Sequence, residues 1–387
     1  MTKFINGKFY TMENGIIENG FMIIDKGIIT DIGEGQGEKT EGEIIDLQNK
    51  FVFPGFIDGH THIGMWEDSA GFEGDDGNED TDPCTPHLRA IDGINPNDRS
   101  FIEACKAGVT TVVTGMGSSN AISGVLYAVK TAVNSKDIIS SIDERVIAPI
   151  AIKMALGENP KMVYHSKNQT PVTRMATAAI IREQLLKTKR YMEDLKKVDE
   201  ETDAPEYDMK CEALIPLLTR KLPVHFHAHR ADDIFTAIRI AKEFNLDYVL
   251  VHCTDGHLIK NALHKEKVKV LCGPALCERS KPELKNLDFR SVSELINVGI
   301  LTSIITDHPE TPIRYLPLCA AMAVREGLDE WEALKAITIN PAKILGLGDK
   351  IGSLKKGKHA DFAVFDLLPL DIYSHCCMTY IGGKRVF

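Results

Sequence analysis

His60 and His62 stand two residues apart at the end of Phe51-Val52-Phe53-Pro54-Gly55-Phe56-Ile57-Asp58-Gly59, an apolar run with the texture of a β-strand. Side chains alternate faces along a strand, so both imidazoles point the same way and could grip one metal ion. Two more apolar runs end in ligand-type residues: His252 follows Tyr248-Val249-Leu250-Val251, and Asp307 closes Leu301-Thr302-Ser303-Ile304-Ile305-Thr306. Taken singly, His252 could be a core histidine with its ring N–H paired, and Asp307 a turn or helix-capping carboxylate before Pro309. The run Pro223-Val224-His225-Phe226-His227-Ala228-His229-Arg230 is richer, because His225, His227 and His229 share one face if the strand persists. Three same-face histidines are hard to explain by packing.

Lys153 ends the apolar run Val146-Ile147-Ala148-Pro149-Ile150-Ala151-Ile152, where an unpaired ammonium would be expensive to bury. Burial lowers the pKa of an amine. A neutral amine can add carbon dioxide to become a carbamate, an anionic bidentate group able to bridge two divalent ions. The other readings are a lysine salt-bridged to an acid or touching substrate. Glu158, in Leu156-Gly157-Glu158-Asn159-Pro160, is the competing bridging ligand.

These residues need strands to carry them. Val109-Thr110-Thr111-Val112-Val113 and Val268-Lys269-Val270-Leu271 add to the apolar runs above, and helical patterns fall at 177–197, 232–243, 316–326 and 330–338. Apolar strands each followed by a helix read as an α/β fold with a parallel sheet under helices, and about eight such units close a (β/α)8 TIM barrel. Active sites on that fold lie where the strands end. The first fifty residues read instead as short strands broken by glycine turns, and the last forty repeat that texture, which predicts one small β-sandwich built from both chain ends. The expected division is 1–52 with 348–387 as the composite sandwich and 53–347 as the catalytic barrel. Residues 64–97 are acidic and turn-rich (Glu67, Asp68, Glu73, Asp75, Asp76, Glu79, Asp80, Asp82), long enough for a lid or an insertion after the first barrel strand.

A formal net charge of −10 and the lack of any long Lys/Arg run argue against a nucleic-acid or membrane partner and favour work on a small molecule. Met1-Thr2-Lys3-Phe4-Ile5-Asn6-Gly7 lacks the apolar run of a signal peptide, and the expected compartment is the cytoplasm. The nine cysteines have no regular CxxC spacing and read as reduced thiols. Exposed edges of the end strands would permit a homo-oligomer without requiring one.

In chain order there are HxH after the first barrel strand, Lys153 after the fourth, histidines after the fifth and sixth, and Asp307 after the eighth. That order resembles the binuclear branch of the metal-dependent amidohydrolase superfamily over essentially the whole chain. The Lys153 strand looks like that of isoaspartyl dipeptidases, dihydroorotases and hydantoinases, which carry a carboxylated lysine. Asn340-Pro341-Ala342-Lys343-Ile344-Leu345-Gly346 followed by Gly352-Ser353-Leu354-Lys355-Lys356-Gly357-Lys358-His359-Ala360-Asp361 looks like the passage from barrel back to sandwich. The resemblance favours His227 as the single ligand from the fifth strand. It implies His60, His62 and Asp307 around one ion, His227 and His252 around a second, and N6-carboxylated Lys153 on both. The ions would be zinc, with manganese, iron or nickel able to fill the same shell.

Such ions would supply the attacking hydroxide, with Asp307 as general base and Lys153 as the bridging group. The reaction implied is hydrolysis of an amide, cyclic amide or peptide-like C–N bond. His229, Arg230, Arg174 and Tyr164 are candidate substrate contacts, and the two arginines could clamp a substrate carboxylate. A second reading is a mononuclear aminohydrolase or an imidazolonepropionase-like enzyme acting on a ring C–N bond, with one ion on His60, His62, His227 and Asp307 and Lys153 unmodified. A third is a non-catalytic scaffold of the same fold.

Overall fold

The computed structural model describes residues 1–38, 41–67, 71–132, 142–198 and 203–387; Asp68 of the acidic segment lies outside them. Strands β1 (Thr2–Tyr10), β2 (Ile16–Asp25), β3 (Ile28–Glu34), β4 (Glu43–Asp46) and β5 (Phe51–Pro54) open the chain. The barrel strands are β6 (Phe56–Thr61), β7 (Val109–Thr114), β8 (Ile122–Lys130), β9 (Val146–Ala155), β10 (Val224–Ala228), β11 (Tyr248–His252), β12 (Lys269–Cys272) and β13 (Leu301–Ile304). At the chain end come β14 (Phe362–Phe365), β15 (Cys376–Ile381) and β16 (Lys384–Arg385).

Both chain ends build one sheet, in the order β16-β15-β14-β5-β1-β2-β3, with β4 paired to β1. It coheres through a small apolar core of its own, in which Phe4 meets Phe362 and Tyr380 edge-on with ring centroids 5.1 Å apart. The chain leaves this sheet for the barrel at Gly55. A Cβ there would lie 2.1 Å from Thr110 Oγ1, so only glycine lets the two layers approach this closely.

The barrel sheet runs β6 to β13 in sequence order. One strand departs from the expected parallel array: β8 pairs antiparallel with both β7 and β9. The connection from β7 spans only residues 115–121, too short for the crossover of a dozen or more residues that a parallel neighbour needs. Those residues bend over the barrel mouth instead. At the seam between β6 and β13, Asp58 accepts hydrogen bonds from Thr306 N at 3.1 Å and Thr306 Oγ1 at 2.5 Å, and His62 N donates to His308 O at 2.8 Å.

The helical patterns appear as Arg174–Leu195, capped by the Thr173 side chain, and Ala231–Glu243, Leu316–Arg325 and Glu330–Ala336. Their apolar faces cover the outward side of the barrel, while Val249, Val251, Leu271 and Ile305 fill its inside. All nine cysteines are free thiols. Among the described residues no helix is long and apolar enough to cross a membrane.

Candidate metal centre

Strand alternation carries His225 and His227 to the inside of β10, where register sets His225 beside Lys153 of β9 and His227 beside Ala155. Lys153 thus starts level with His225, and its long stem brings Nζ to 3.0 Å from His60 Nε2 at the end of β6. His225 stays deeper in the barrel, fully buried, with neither ring nitrogen hydrogen-bonded. His252 breaks the alternation. Val249 and Val251 face inward, so the next side chain should face out, but φ values of 70° at His252 and 52° at Cys253 swing the imidazole back into the mouth. Asp307, just past β13, also sits at positive φ, 51°. Left-handed backbone at non-glycine residues costs on the order of 1–3 kcal/mol each and gathers at functional sites.

The imidazoles are held from behind. His62 Nδ1 donates to Gly115 O at 2.7 Å and His252 Nδ1 to Gly273 O at 2.8 Å; carbonyls only accept, so in the neutral rings each Nε2 keeps its lone pair. His227 Nδ1 meets Ser118 Oγ at 2.8 Å and His229 Nδ1 meets Thr254 Oγ1 at 2.7 Å. Asp307 Oδ1 then lies 3.4 Å from His60 Nε2 and 3.2 Å from His62 Nε2, the second being an acceptor facing the lone pair of the neutral His62 ring. Bonds of about 2.0–2.1 Å to a tetrahedral ion separate ligands by roughly 3.3 Å, so this spacing fits a cation and not a hydrogen bond.

Two groups of potential ligands result: His60, His62 and Asp307, and His227, His229 and His252, with donor atoms in each group within 4.8 Å of one another. They are neighbours. The His60 and His252 ring centroids are 5.6 Å apart, and those of His227 and His252 4.4 Å.

Electrostatics prepare the groups for a cation. Burial holds His60, His227 and His229 well below the usual imidazole range, reinforced by neighbouring positive groups, and takes His252 down to about 4. Burial pushes Lys153 down to about 7 against the pull of the Asp307 charge. For Asp307, burial works upward, but the adjoining His252, His62 and Lys153 side chains hold it below the ordinary carboxylate value. At neutral pH His60, His227, His229 and His252 are therefore neutral donors and Asp307 is an anion.

A cavity of about 590 Å³ opens above, lined by His62, Trp66, Ser118, His227, His229, Lys281 and Asp307 among others. Trp66 packs edge-on against His62 with centroids 4.8 Å apart, so part of the acidic segment walls the site.

Other expected contacts fall differently. His229 joins the second histidine group, its ring stacked on His252 at 4.5 Å. Arg230 is half-exposed and paired with Asp232, and Arg174 is paired with Asp233 at 3.0 Å; both line a separate outer cavity of about 410 Å³. Tyr164 is buried, its hydroxyl donating to Asn120 Oδ1 at 2.5 Å, and it lines neither cavity. Glu158 begins the helix Glu158–His165, where its carboxylate accepts from Glu283 N at 3.4 Å, outside both ligand groups; the lysine, not this glutamate, lies next to His60.

Three participants were not anticipated. Asp58, fully buried and raised to about 7 by that burial, accepts from His60 N at 3.3 Å and so ties the HxH segment to Thr306 beside Asp307. Its place two residues before His60 was the only available signal. Glu283 and Lys281 come from the loop after β12, where no periodicity points anywhere. The Glu283 side chain has no exposure, its Oε1 is 2.8 Å from Lys281 Nζ, and Lys281 also donates to Asn159 Oδ1 at 2.7 Å.

Residues 51–385 match the profile of the Amidohydrolase family. A crystal structure of an amidohydrolase from Thermotoga maritima superposes with a TM-score of 0.95 at 41% identity, covering 100% of both chains. Amidohydrolase tasK of Hapsidospora irregularis is 28% identical over 394 residues, 95% of this chain, which spans only 40% of that protein. Imidazolonepropionase of Fusobacterium nucleatum is 25% identical over 412 residues, covering 96% of this chain and 92% of that protein.

Proposed function

The chain belongs to the amidohydrolase family, and on that premise we propose that it hydrolyses a C–N bond of a small, carboxylate-bearing substrate with the help of two divalent ions. The observation that carries this reading is the meeting of Asp307 Oδ1 with the Nε2 atoms of His60 and His62 in a buried pocket. His60, His62 and Asp307 would hold one ion and His227 and His252 the second, with a carboxylated Lys153 reaching both. Imidazole and carboxylate donors suit zinc, and manganese, iron or nickel could take the same places. When bound, such ions lower the pKa of water from about 15.7 towards about 7 and polarise a substrate carbonyl.

The chain's own groups do the rest. Asp307, anionic at neutral pH, takes the proton of the attacking water at its carboxylate and delivers it to the leaving nitrogen. Asp58 and Thr306 hold Asp307 and His60 in mutual position. Lys281 takes the carboxylate-binding role that the arginines suggested, because of the three cations it alone lines the main cavity. A cyclic amide or imide, an N-acyl amino acid or a small dipeptide meets these demands.

The imidazolonepropionase relative favours a second reading, in which one ion on His60, His62, His227 and Asp307 serves hydrolysis of a ring C–N bond and Lys153 stays unmodified. Turnover on a panel of N-acyl amino acids, dipeptides, cyclic imides and imidazolones, with metal counted per chain by plasma mass spectrometry, tests both. Two ions and amide turnover are expected. A single tightly held ion favours the second reading, and an Asp307→Asn variant as active as wild type would end both.

A further inference from the structure

We infer that the second ion is held by four protein ligands, His227, His229, His252 and Glu283, a set that retains it whether or not Lys153 also reaches it. The inference rests on the two-ion reading above and extends it to two residues, His229 and Glu283, that the strand-end pattern does not supply.

The argument starts from unsatisfied atoms. His227 Nε2, His229 Nε2 and Glu283 Oε1 are all buried without a well-aligned hydrogen bond. Glu283 Oε1 lies 3.6 Å from His229 Nε2 and 3.8 Å from His227 Nε2. The Nδ1 atoms of both rings are engaged by the Ser118 and Thr254 hydroxyls, so the Nε2 atoms are the ones left facing the carboxylate. His252 joins the two histidines, since one donor atom from each of the three rings lies within 4.8 Å of the others, and its Nδ1 is committed to Gly273 O. Three neutral imidazoles and one carboxylate form an N3O set suited to zinc.

Glu283 is also braced as a ligand should be. Its second oxygen accepts from Glu158 N at 3.0 Å, and Lys281 Nζ forms an ion pair with Oε1 at 2.8 Å without the alignment of a hydrogen bond. Supports of this kind orient a metal-bound carboxylate. The nearer histidine to Glu283 is His229, and a histidine that stacks on His252 while facing a buried carboxylate is better placed to ligate than to reach into the open cavity.

The test is zinc stoichiometry and affinity of the full chain, measured by plasma mass spectrometry after equilibrium dialysis, for wild type, Glu283→Gln, His229→Asn and Lys153→Met. The zinc-edge anomalous map of wild-type crystals gives a readout independent of any variant. Wild type is expected to hold two ions, one of them within about 2.0–2.2 Å of Glu283 and His229. Glu283→Gln and His229→Asn are expected to keep the ion at His60, His62 and Asp307 and to bind the other at least about tenfold more weakly. Lys153→Met is expected to keep the ion at Glu283. Circular dichroism and melting confirm that each variant is folded. Wild-type affinity in Glu283→Gln, an anomalous peak remote from Glu283, or loss of both ions in Lys153→Met overturns the inference and leaves the hydrolase reading standing. A wild type that takes up no divalent ion overturns both.

Discussion

Lys153 Nζ lies 3.0 Å from His60 Nε2 with both side chains fully buried. With the amine pushed down to about 7 by burial, the contact is that of a lysine, neutral or protonated, donating to the imidazole lone pair. The same lone pair is the one His60 must offer an ion. Lysine donation and metal ligation at His60 are therefore mutually exclusive, and the proposed carboxylation of Lys153 would remove the conflict by turning the competing donor into an anionic ligand.

That conflict makes a first prediction. Lys153→Met is expected to lose several kcal/mol of transition-state stabilisation, about 100-fold or more in kcat/KM. Formate or acetate should restore part of the loss by standing in for the missing carbamate, measured as turnover against added carboxylate. Full activity in the unsupplemented variant contradicts the bridging role.

The depressed Lys153 also sets a pH dependence of stability in the metal-free protein. The folded-state pKa is about 7 and the ordinary value 10.5, so between these limits the unfolded chain binds more protons and stability rises with pH. Above 10.5 both states are neutral and the penalty vanishes; below 7 it is present in full. Melting of the metal-free protein from pH 7 to 10 should show this rise relative to Lys153→Met. Parallel curves for the two proteins would refute it.

Much of the site was legible because strands impose a period of two and barrels place function at strand ends. His60, His62, His252 and Asp307 stood out as strand-end candidates by that rule, and Lys153 by the cost of burying an amine, whereas alternation left His225, His227 and His229 equivalent and only the resemblance favoured His227. The position of His252 was legible but not its direction, which comes from left-handed backbone at His252 and Cys253 that no alternation encodes. Strand β8 escaped notice because the expectation of helix-linked parallel strands had no place for a reversed one. Arg230 and Arg174 announced their charge but not their direction: each turns to a neighbouring aspartate, and loop conformation decides such choices. Glu283 lay in a loop with no periodicity at all.

Thr306→Val tests the seam that holds Asp307 in place. Asp58 would keep its bonds from Thr306 N and His60 N but lose the hydroxyl donor at 2.5 Å, in a fully buried setting. The expected cost is about 1–3 kcal/mol of unfolding free energy by denaturant titration. Zinc affinity at the His60, His62 and Asp307 site should fall as well. Loss of stability with unchanged affinity would show that the seam serves the fold alone.

Lys281 and Arg230 separate two accounts of substrate recognition. A charge-assisted bond to a substrate carboxylate contributes about 1.5–3 kcal/mol, so Lys281→Met should raise KM for a carboxylate-bearing substrate by about 10- to 150-fold. Lys281 also neutralises Glu283, so the substitution alone could act through the metal ligands. Two controls resolve this. Lys281→Arg restores charge and should recover most of the affinity, and a substrate amidated at the carboxylate should bind Lys281→Met and wild type alike. Arg230→Met, which removes a half-exposed side chain from the outer cavity, should leave KM within about twofold, since exposed ion pairs such as Arg230 with Asp232 contribute little. The opposite pattern, with Arg230 sensitive and Lys281 silent, would move the carboxylate pocket to the outer cavity.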